Sequence, residues 1–192
     1  MIEPATWNDI KVFSMSLLLG KEKSISVHGD SMRQIIRETK ERVDWGDLDY
    51  LVIDMPPSAS DVFKSILEFY AKELVGGAIV MIPFAELAAR RLIELYGYYD
   101  VPILGIIENM AYYREGDKEV EVFGPRVGRK LAEEYGVEFL GEIPLDPRIA
   151  QNIINGNPLL PDDIAEPVNR LAKKVSEAKE GSFYEIFKFR LK

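Results

Sequence analysis

The sequence contains no cysteine. Within this chain, that absence excludes disulfide bonds, thiolate catalysis, zinc–thiolate sites and iron–sulfur clusters held by cysteine. Histidine is nearly absent as well, because His28 is the only one. His28, Asp54 and Ser58 have the residue types of a hydrolytic triad. The sequence has no G-x-S-x-G nucleophile elbow, however, so a surface turn at His28 is the better interpretation.

Positive charge and long apolar runs are also in short supply. The chain has 24 Lys and Arg residues against 32 Asp and Glu residues, a net charge of −8, which argues against nucleic-acid or anionic-membrane binding. The apolar runs GAIVMIPF and VPILGII are much shorter than the roughly 20 residues of a membrane helix. The opening MIEPATWNDIKVFS is not typical of a secretory signal. We therefore expect a cytoplasmic protein that binds neither nucleic acid nor membrane.

The apolar residues fall into short runs separated by longer amphipathic stretches. The middle runs are continuously apolar, which is typical of strands covered on both faces. Five strands are predicted, at Lys11–Ser16, Tyr50–Met55, Ala78–Pro83, Ile103–Glu108 and Phe139–Ile143. The alternation of strands and helices predicts an α/β fold with three layers, a mostly parallel sheet with helices on both faces. Residues 1–192 are predicted to form a single domain.

Six helices are predicted between and after these strands. They are Met32–Arg42 capped by Ser31, Asp61–Leu74, Glu86–Tyr96, Val127–Tyr135 ended by Gly136, Pro147–Asn155, and Ala165–Lys179 with Pro167 in its first turn. The tail at residues 181–192 alternates aromatic and charged residues. An edge strand, a docking arm and an interface segment are the three interpretations of this tail.

Polar residues stand at the ends of the predicted strands, where open parallel sheets bind their ligands. Asp54, in YLVIDMPPSASD, could hold magnesium or cap the following turn. Asn109, in GIIENMAYY, could contact an adenine edge or its own loop. The proline-flanked turn in GEIPLDPRI could line a base pocket or only reverse the chain.

Together these segments resemble the Mrp family of ATP-binding iron–sulfur cluster carriers, relatives of the MinD/ParA-type deviant P-loop ATPases. The resemblance covers residues 10–170, in WGDLDYLVIDMPPSASD, DVPILGIIENMAYY, VFGPRVGRKLAEEYGVEFLGEIPLDPRI and IKVFSMSLLL. It implies a P-loop NTPase-like fold, ATP and magnesium as cofactors, and a role in iron–sulfur cluster assembly. It also implies a metal ligand at Asp54, catalytic candidates at Asp54 and Asp61, and nucleotide-binding positions at Asn109, Pro144, Leu145 and Asp146.

The sequence departs from the family pattern at the positions that matter most for chemistry. It has no G-x-x-x-x-G-K-[ST] phosphate loop. The family's PPGTGD is here PPSASD, and serine lacks the positive-φ freedom of glycine. The family's C-x-x-C should follow Asn109, where this chain reads YYREGDKEVEVFG, and the glycine cluster after it has become PRVG. These departures predict a chain truncated at its N-terminus, with a fold that lacks the phosphate-loop strand.

The missing loop has a large energetic consequence. Its charge-assisted hydrogen bonds contribute roughly 1.5–3 kcal/mol each, so losing about four costs on the order of 6–10 kcal/mol. Micromolar affinity corresponds to only about −8 kcal/mol. We therefore expect at best millimolar ATP affinity and no independent ATPase activity.

The missing strand also predicts a partner, because an unpaired strand edge readily associates. The partner is expected to be a second copy of this chain or a relative that has a phosphate loop. Three interpretations remain at this point: a degenerate family member, a split ATPase that a partner chain completes, or a start that lies further upstream in the gene.

Overall fold

The computed structural model describes residues 1–14, 17, 29–57 and 59–178, and for residues 29 and 30 only the backbone. His28, Ser58 and the tail at residues 181–192 lie outside the described residues. The chain divides into two compact units, Met1–Tyr70 and Ala71–Lys192, which are described in turn. No helix in the described part of the chain is long and apolar enough to span a bilayer.

The first unit begins with a β-hairpin. Strands β1 (Ala5–Trp7) and β2 (Ile10–Val12) pair antiparallel. Asn8 and Asp9 between them both have positive φ, the geometry of a type I′ two-residue turn. The prediction of a strand at Lys11–Ser16 is therefore wrong in its bounds and in its place, because β2 belongs to this exposed hairpin.

Two helices follow, α1 (Gly29–Arg42) and α2 (Asp61–Tyr70). Helix α1 starts before Ser31, so the prediction that Ser31 caps it is wrong. Helix α2 ends earlier than predicted, and a 3-10 turn follows it at Ala71–Glu73. The two helices pack together, and Arg33 of α1 pairs with Glu68 of α2 at 2.7 Å.

The segment Tyr50–Met55 forms no strand, which contradicts its prediction. Its apolar side chains remain in solvent, and the side chain of Val52 is 87% exposed. A strand is stable only when its backbone N–H and C=O groups find partners on a neighbouring strand. The described residues supply no such neighbour, and the segment runs unpaired although its composition suits a strand.

The second unit contains a parallel sheet of three strands in the order β3-β4-β7. The strands are β3 (Gly77–Met81), β4 (Ile103–Asn109) and β7 (Phe139–Ile143), close to the predicted bounds. A hairpin that was not predicted, β5 (Tyr113–Glu115) and β6 (Lys118–Val120), lies between β4 and β7 in the chain. The parallel sheet with its helices confirms the predicted α/β class.

Four helices complete the second unit, each within a few residues of its prediction. They are α3 (Glu86–Tyr98), α4 (Gly128–Tyr135), α5 (Pro147–Ile154) and α6 (Glu166–Glu177). Helix α4 ends at Gly136, which has a φ of 63°, as expected for a left-handed cap. Pro167 lies in the first turn of α6, as predicted.

The helices of this unit cover both faces of the sheet. Helices α3 and α4 share one face, because Arg90 of α3 is 2.5 Å from Glu134 of α4. Helix α6 lies on the other face, where Leu171 packs against a buried cluster that includes Ile107 of β4. Ile107 and Glu108 are adjacent and point to opposite faces, and Glu108 contacts α4.

Candidate functional site

The carboxyl edge of the three-stranded sheet brings together one group of predicted site residues. Asn109 at the end of β4 is in register with Ile143 at the end of β7. Beyond these strands, the Ala111 N–H donates to the Ile143 carbonyl at 3.0 Å and the Leu145 N–H donates to the Tyr112 carbonyl at 2.7 Å. The loop after β4 and the Pro144–Asp146 turn are therefore joined by backbone hydrogen bonds.

Asn109 makes a local contact. Its Oδ1 accepts a hydrogen bond from the Met110 N–H at 3.0 Å, and Met110 has a φ of 55°. The amide thus stabilises a residue in the left-handed region, which is costly for methionine. Of the two interpretations that the sequence left open, the structure shows the contact with its own loop.

The Pro144–Asp146 turn is also occupied by structural contacts. Pro144 is buried, and Asp146 caps α5 by accepting the Arg148 N–H at 2.8 Å. The Arg148 guanidinium bonds the same carboxylate at 2.6 Å and reaches Asp163 at 2.9 Å. The side-chain hydrogen bond from Arg148 lowers the pKa of Asp146 below its ordinary value.

Glu108 is a buried residue of this edge that the sequence analysis did not single out. Its side chain is 0% exposed, and its two oxygens accept the Val127 and Gly128 N–H groups at 2.9 and 3.0 Å. The carboxylate therefore fills the N-terminus of α4, where backbone N–H groups lack intrahelical partners. A single acid inside the apolar run ILGIIEN was the available signal.

Gly128 allows this approach. A Cβ atom built on Gly128 would lie 3.0 Å from the Cβ and an oxygen of Glu108. The second glycine of the GPRVG segment is thus needed because the helix N-terminus sits directly on the Glu108 side chain.

The hairpin β5–β6 occupies the stretch where the family resemblance implies a C-x-x-C. Gly116, with a φ of 62°, and Asp117 form its turn. Arg126 fixes the hairpin to the sheet, since it pairs with Glu119 at 2.6 Å and with Glu142 of β7 at 2.8 Å. Its guanidinium also lies 4.7 Å from the ring centre of Tyr112. No side chain in this chain can ligate iron through sulfur as a cysteine does, so the hairpin does not fit a cysteine-bound cluster.

Asp54 and Asp61 belong to the first unit. Asp54 is exposed and makes no hydrogen bond or ion pair within the described residues. Asp61 is the first residue of α2, and its Oδ1 lies 3.5 Å from Lys64 Nζ. Ser60 accepts the Phe63 N–H at 3.3 Å, so the last serine of PPSASD acts as the helix cap. The described part of the chain contains no group of three or more His, Asp or Glu side chains placed to hold a metal ion.

Comparison with known proteins defines the class and then the family. The chain resembles a nucleotide-binding protein from Archaeoglobus fulgidus in complex with ADP, with a TM-score of 0.59 and 26% identity over 98% of this chain and 67% of that one. The family model described as NUBPL iron-transfer P-loop NTPase matches residues 1–179. The chain belongs to this family.

Curated relatives agree with this assignment. An iron–sulfur cluster carrier protein from Saccharolobus solfataricus is 38% identical over 78% of this chain. One from Methanocaldococcus jannaschii is 35% identical over 92% of this chain. The matches span 52% and 63% of those relatives, so the chain covers only part of their length.

Proposed function

We propose that these 192 residues form a family member that neither hydrolyses ATP nor carries an iron–sulfur cluster by itself. It acts in iron–sulfur cluster assembly by binding a relative that has a phosphate loop. The observation that carries this proposal is the composition of the chain, which offers neither G-x-x-x-x-G-K-[ST] nor a cysteine. Phosphoryl transfer depends on positioning and charge neutralisation, which such a loop supplies.

The geometry of the second unit supports the same proposal. Asn109 Oδ1, the Leu145 N–H and the Asp146 carboxylate already have partners inside the chain. A nucleotide would have to replace these contacts rather than fill free valences, and each replaced hydrogen bond reduces the net gain by about 0.5–1.5 kcal/mol.

Calorimetric titration of the chain with ATP and magnesium tests the proposal. We expect no saturable heat below millimolar nucleotide, whereas a family relative whose sequence has the phosphate loop serves as the positive control in the same buffer. Micromolar binding by the chain alone would overturn the proposal. Capture of a phosphate-loop relative by the immobilised chain is the second expected result, and failure with every such relative tested would remove the binding role.

A split ATPase is the second candidate function, and one observation favours it. Leu51 and Val52 are exposed although the sequence suits a strand, and Asp54 just beyond them is free of contacts within the described residues. A partner that supplied a phosphate-loop strand would find an apolar segment and a carboxylate available for magnesium.

Reconstitution distinguishes the split ATPase from the first proposal. Mixing the chain with a phosphate-loop-bearing partner should raise ATP hydrolysis above that of the partner alone. Asp54→Ala should abolish the increase, while Asp49→Ala, an exposed acid of the same segment, should leave it unchanged. Equal hydrolysis with and without the chain would eliminate this candidate.

A further inference from the structure

The sheet of the second unit has an open edge at β3. Strand β3 pairs with β4 on one side only, and among the described residues no strand pairs with its other side. Its sequence, GAIVM, has neither the charged residues nor the proline that commonly protect edge strands. On the face away from α3, the side chain of Val80 is 58% exposed. Backbone groups and an apolar side chain thus await a partner at the same edge.

Helix α6 leads the chain toward this edge. Arg170, early in α6, donates to the Leu140 carbonyl of β7 at 2.8 Å, and Lys174, one turn later, donates to the Leu104 carbonyl at 3.0 Å. Leu104 is near the start of β4, whose first residue is paired with Gly77 of β3. The helix therefore runs antiparallel to the strands and ends at their amino edge, beside the start of β3.

The chain beyond α6 has a sequence suited to an edge. In residues 183–191, FYEIFKFRL, alternate positions carry Phe183, Phe187, Phe189 and Leu191, with Glu185 as the exception. This period of two is typical of a strand with one apolar face. Residues 178–182 can span about 17 Å when extended. The open edge lies about 10 Å, or two strand spacings, from β4.

The handedness of the connection is also correct. Helices α3 and α4 lie on one face and carry the chain from β3 to β4 and on to β7, whereas α6 lies on the opposite face. A return from β7 to the β3 edge must cross by that opposite face to be right-handed, as nearly all parallel crossovers are.

We infer that residues 183–191 pair in parallel with β3 as a fourth strand, with Phe187 and Phe189 on the same face as Val80. This inference goes beyond the proposed function and does not depend on any nucleotide. It identifies the tail as the occupant of an edge that an external strand would otherwise take.

The absence of cysteine makes disulfide mapping unambiguous. Val80→Cys is combined, one at a time, with cysteine at each position from 183 to 191 in the full-length chain and oxidised at low protein concentration. We expect intramolecular cross-links at Phe187→Cys or Phe189→Cys and none at Lys188→Cys, because adjacent strand residues face opposite sides. The control cysteine is Leu159→Cys in place of Val80→Cys, an exposed position in the loop after α5.

The alternative outcomes contradict the inference in different ways. Cross-links of equal yield at odd and even positions, or with Leu159→Cys, would show that the tail forms no strand on β3. Disulfide-linked dimers would show that the edge takes a second copy instead.

Hydrogen exchange provides a second measurement in the full-length chain. The double variant Phe187→Asp/Phe189→Asp should speed amide exchange in residues 77–81 by at least about tenfold while leaving β7 unchanged. Unaltered exchange in β3 would overturn the inference.

Discussion

Glu108 is a buried carboxylate that holds the N-terminus of α4 on the sheet, with both oxygens bonded to backbone N–H groups. Glu108→Gln keeps the shape but turns an amide N–H₂ toward one of these donors. We expect the free energy of unfolding to fall by about 2–3 kcal/mol, the usual cost of losing a hydrogen bond to a charged group and stranding a buried donor. Urea unfolding followed by circular dichroism measures this change.

Glu115→Gln is the matched control, because Glu115 lies on the exposed hairpin. Its effect should stay within about 0.5 kcal/mol. A Glu108→Gln protein as stable as the wild type would show that the carboxylate does not hold the helix.

Glu138 links β7 to α6 and predicts a dependence of stability on pH. Its side-chain hydrogen bond from Lys174, at 2.7 Å, and a second from Arg170 lower its pKa below the ordinary 4.5. A carboxyl group with a lowered pKa stabilises the fold above its ordinary pKa, and this stabilisation is lost as the pH falls through the lowered value.

Comparison of the wild type with Glu138→Gln isolates this contribution. The wild type should be the more stable of the two at pH 7, and the difference should shrink as the pH falls below 4.5. Urea midpoints at pH 7 and pH 3 measure it. A difference that stays constant between the two pH values would show that the ion pairs do not stabilise the fold.

At the scale of elements, Arg126 determines where the β5–β6 hairpin lies. It contacts Glu119 at the hairpin, Glu142 of β7 and the ring of Tyr112. Arg126→Ala leaves these carboxylates without a cation, so we expect hairpin amides to exchange about tenfold faster and unfolding to become easier by about 1–2 kcal/mol. Lys118→Ala, in the same hairpin, is the control and should change neither. Unchanged exchange in residues 113–120 after loss of Arg126 would contradict this role.

The elements differ in how well the sequence predicted them. Strand β7 was predicted with its observed bounds, because FLGEI is apolar, flanked by turns and has a paired neighbour. The hairpin was missed, because its strands are exposed and charged and lack the alternation of a half-buried strand. The Gly116-Asp117 pair was a local turn signal that could have found it.

The segment Tyr50–Met55 shows the limit of sequence patterns. Its composition predicts a buried strand, yet strand formation depends on a neighbour that the pattern does not contain. The same limit applies to the candidate site. The position of Asn109 at a strand end could be predicted, but its hydrogen bond to Met110 depends on a left-handed backbone that the sequence does not announce.

At the scale of the whole molecule, the exposed apolar side chains of Leu51 and Val52 predict self-association. We expect the chain to form a homo-oligomer in solution when no phosphate-loop relative is present. Leu51→Asp/Val52→Asp should make it monomeric without loss of secondary structure, because both side chains are already in solvent. Light scattering coupled to size exclusion, at protein concentrations from about 1 to 100 μM, measures the mass, since weak interfaces dissociate in that range.

Leu159→Asp provides the control for this experiment. Leu159 is similarly exposed but lies in the second unit, after α5, so its substitution should leave the oligomer intact. A wild-type chain that stays monomeric at the highest concentration would refute self-association. An oligomer that persists in Leu51→Asp/Val52→Asp and dissociates in Leu159→Asp would place the interface in the second unit. An unpaired strand sequence would then not be the cause of assembly.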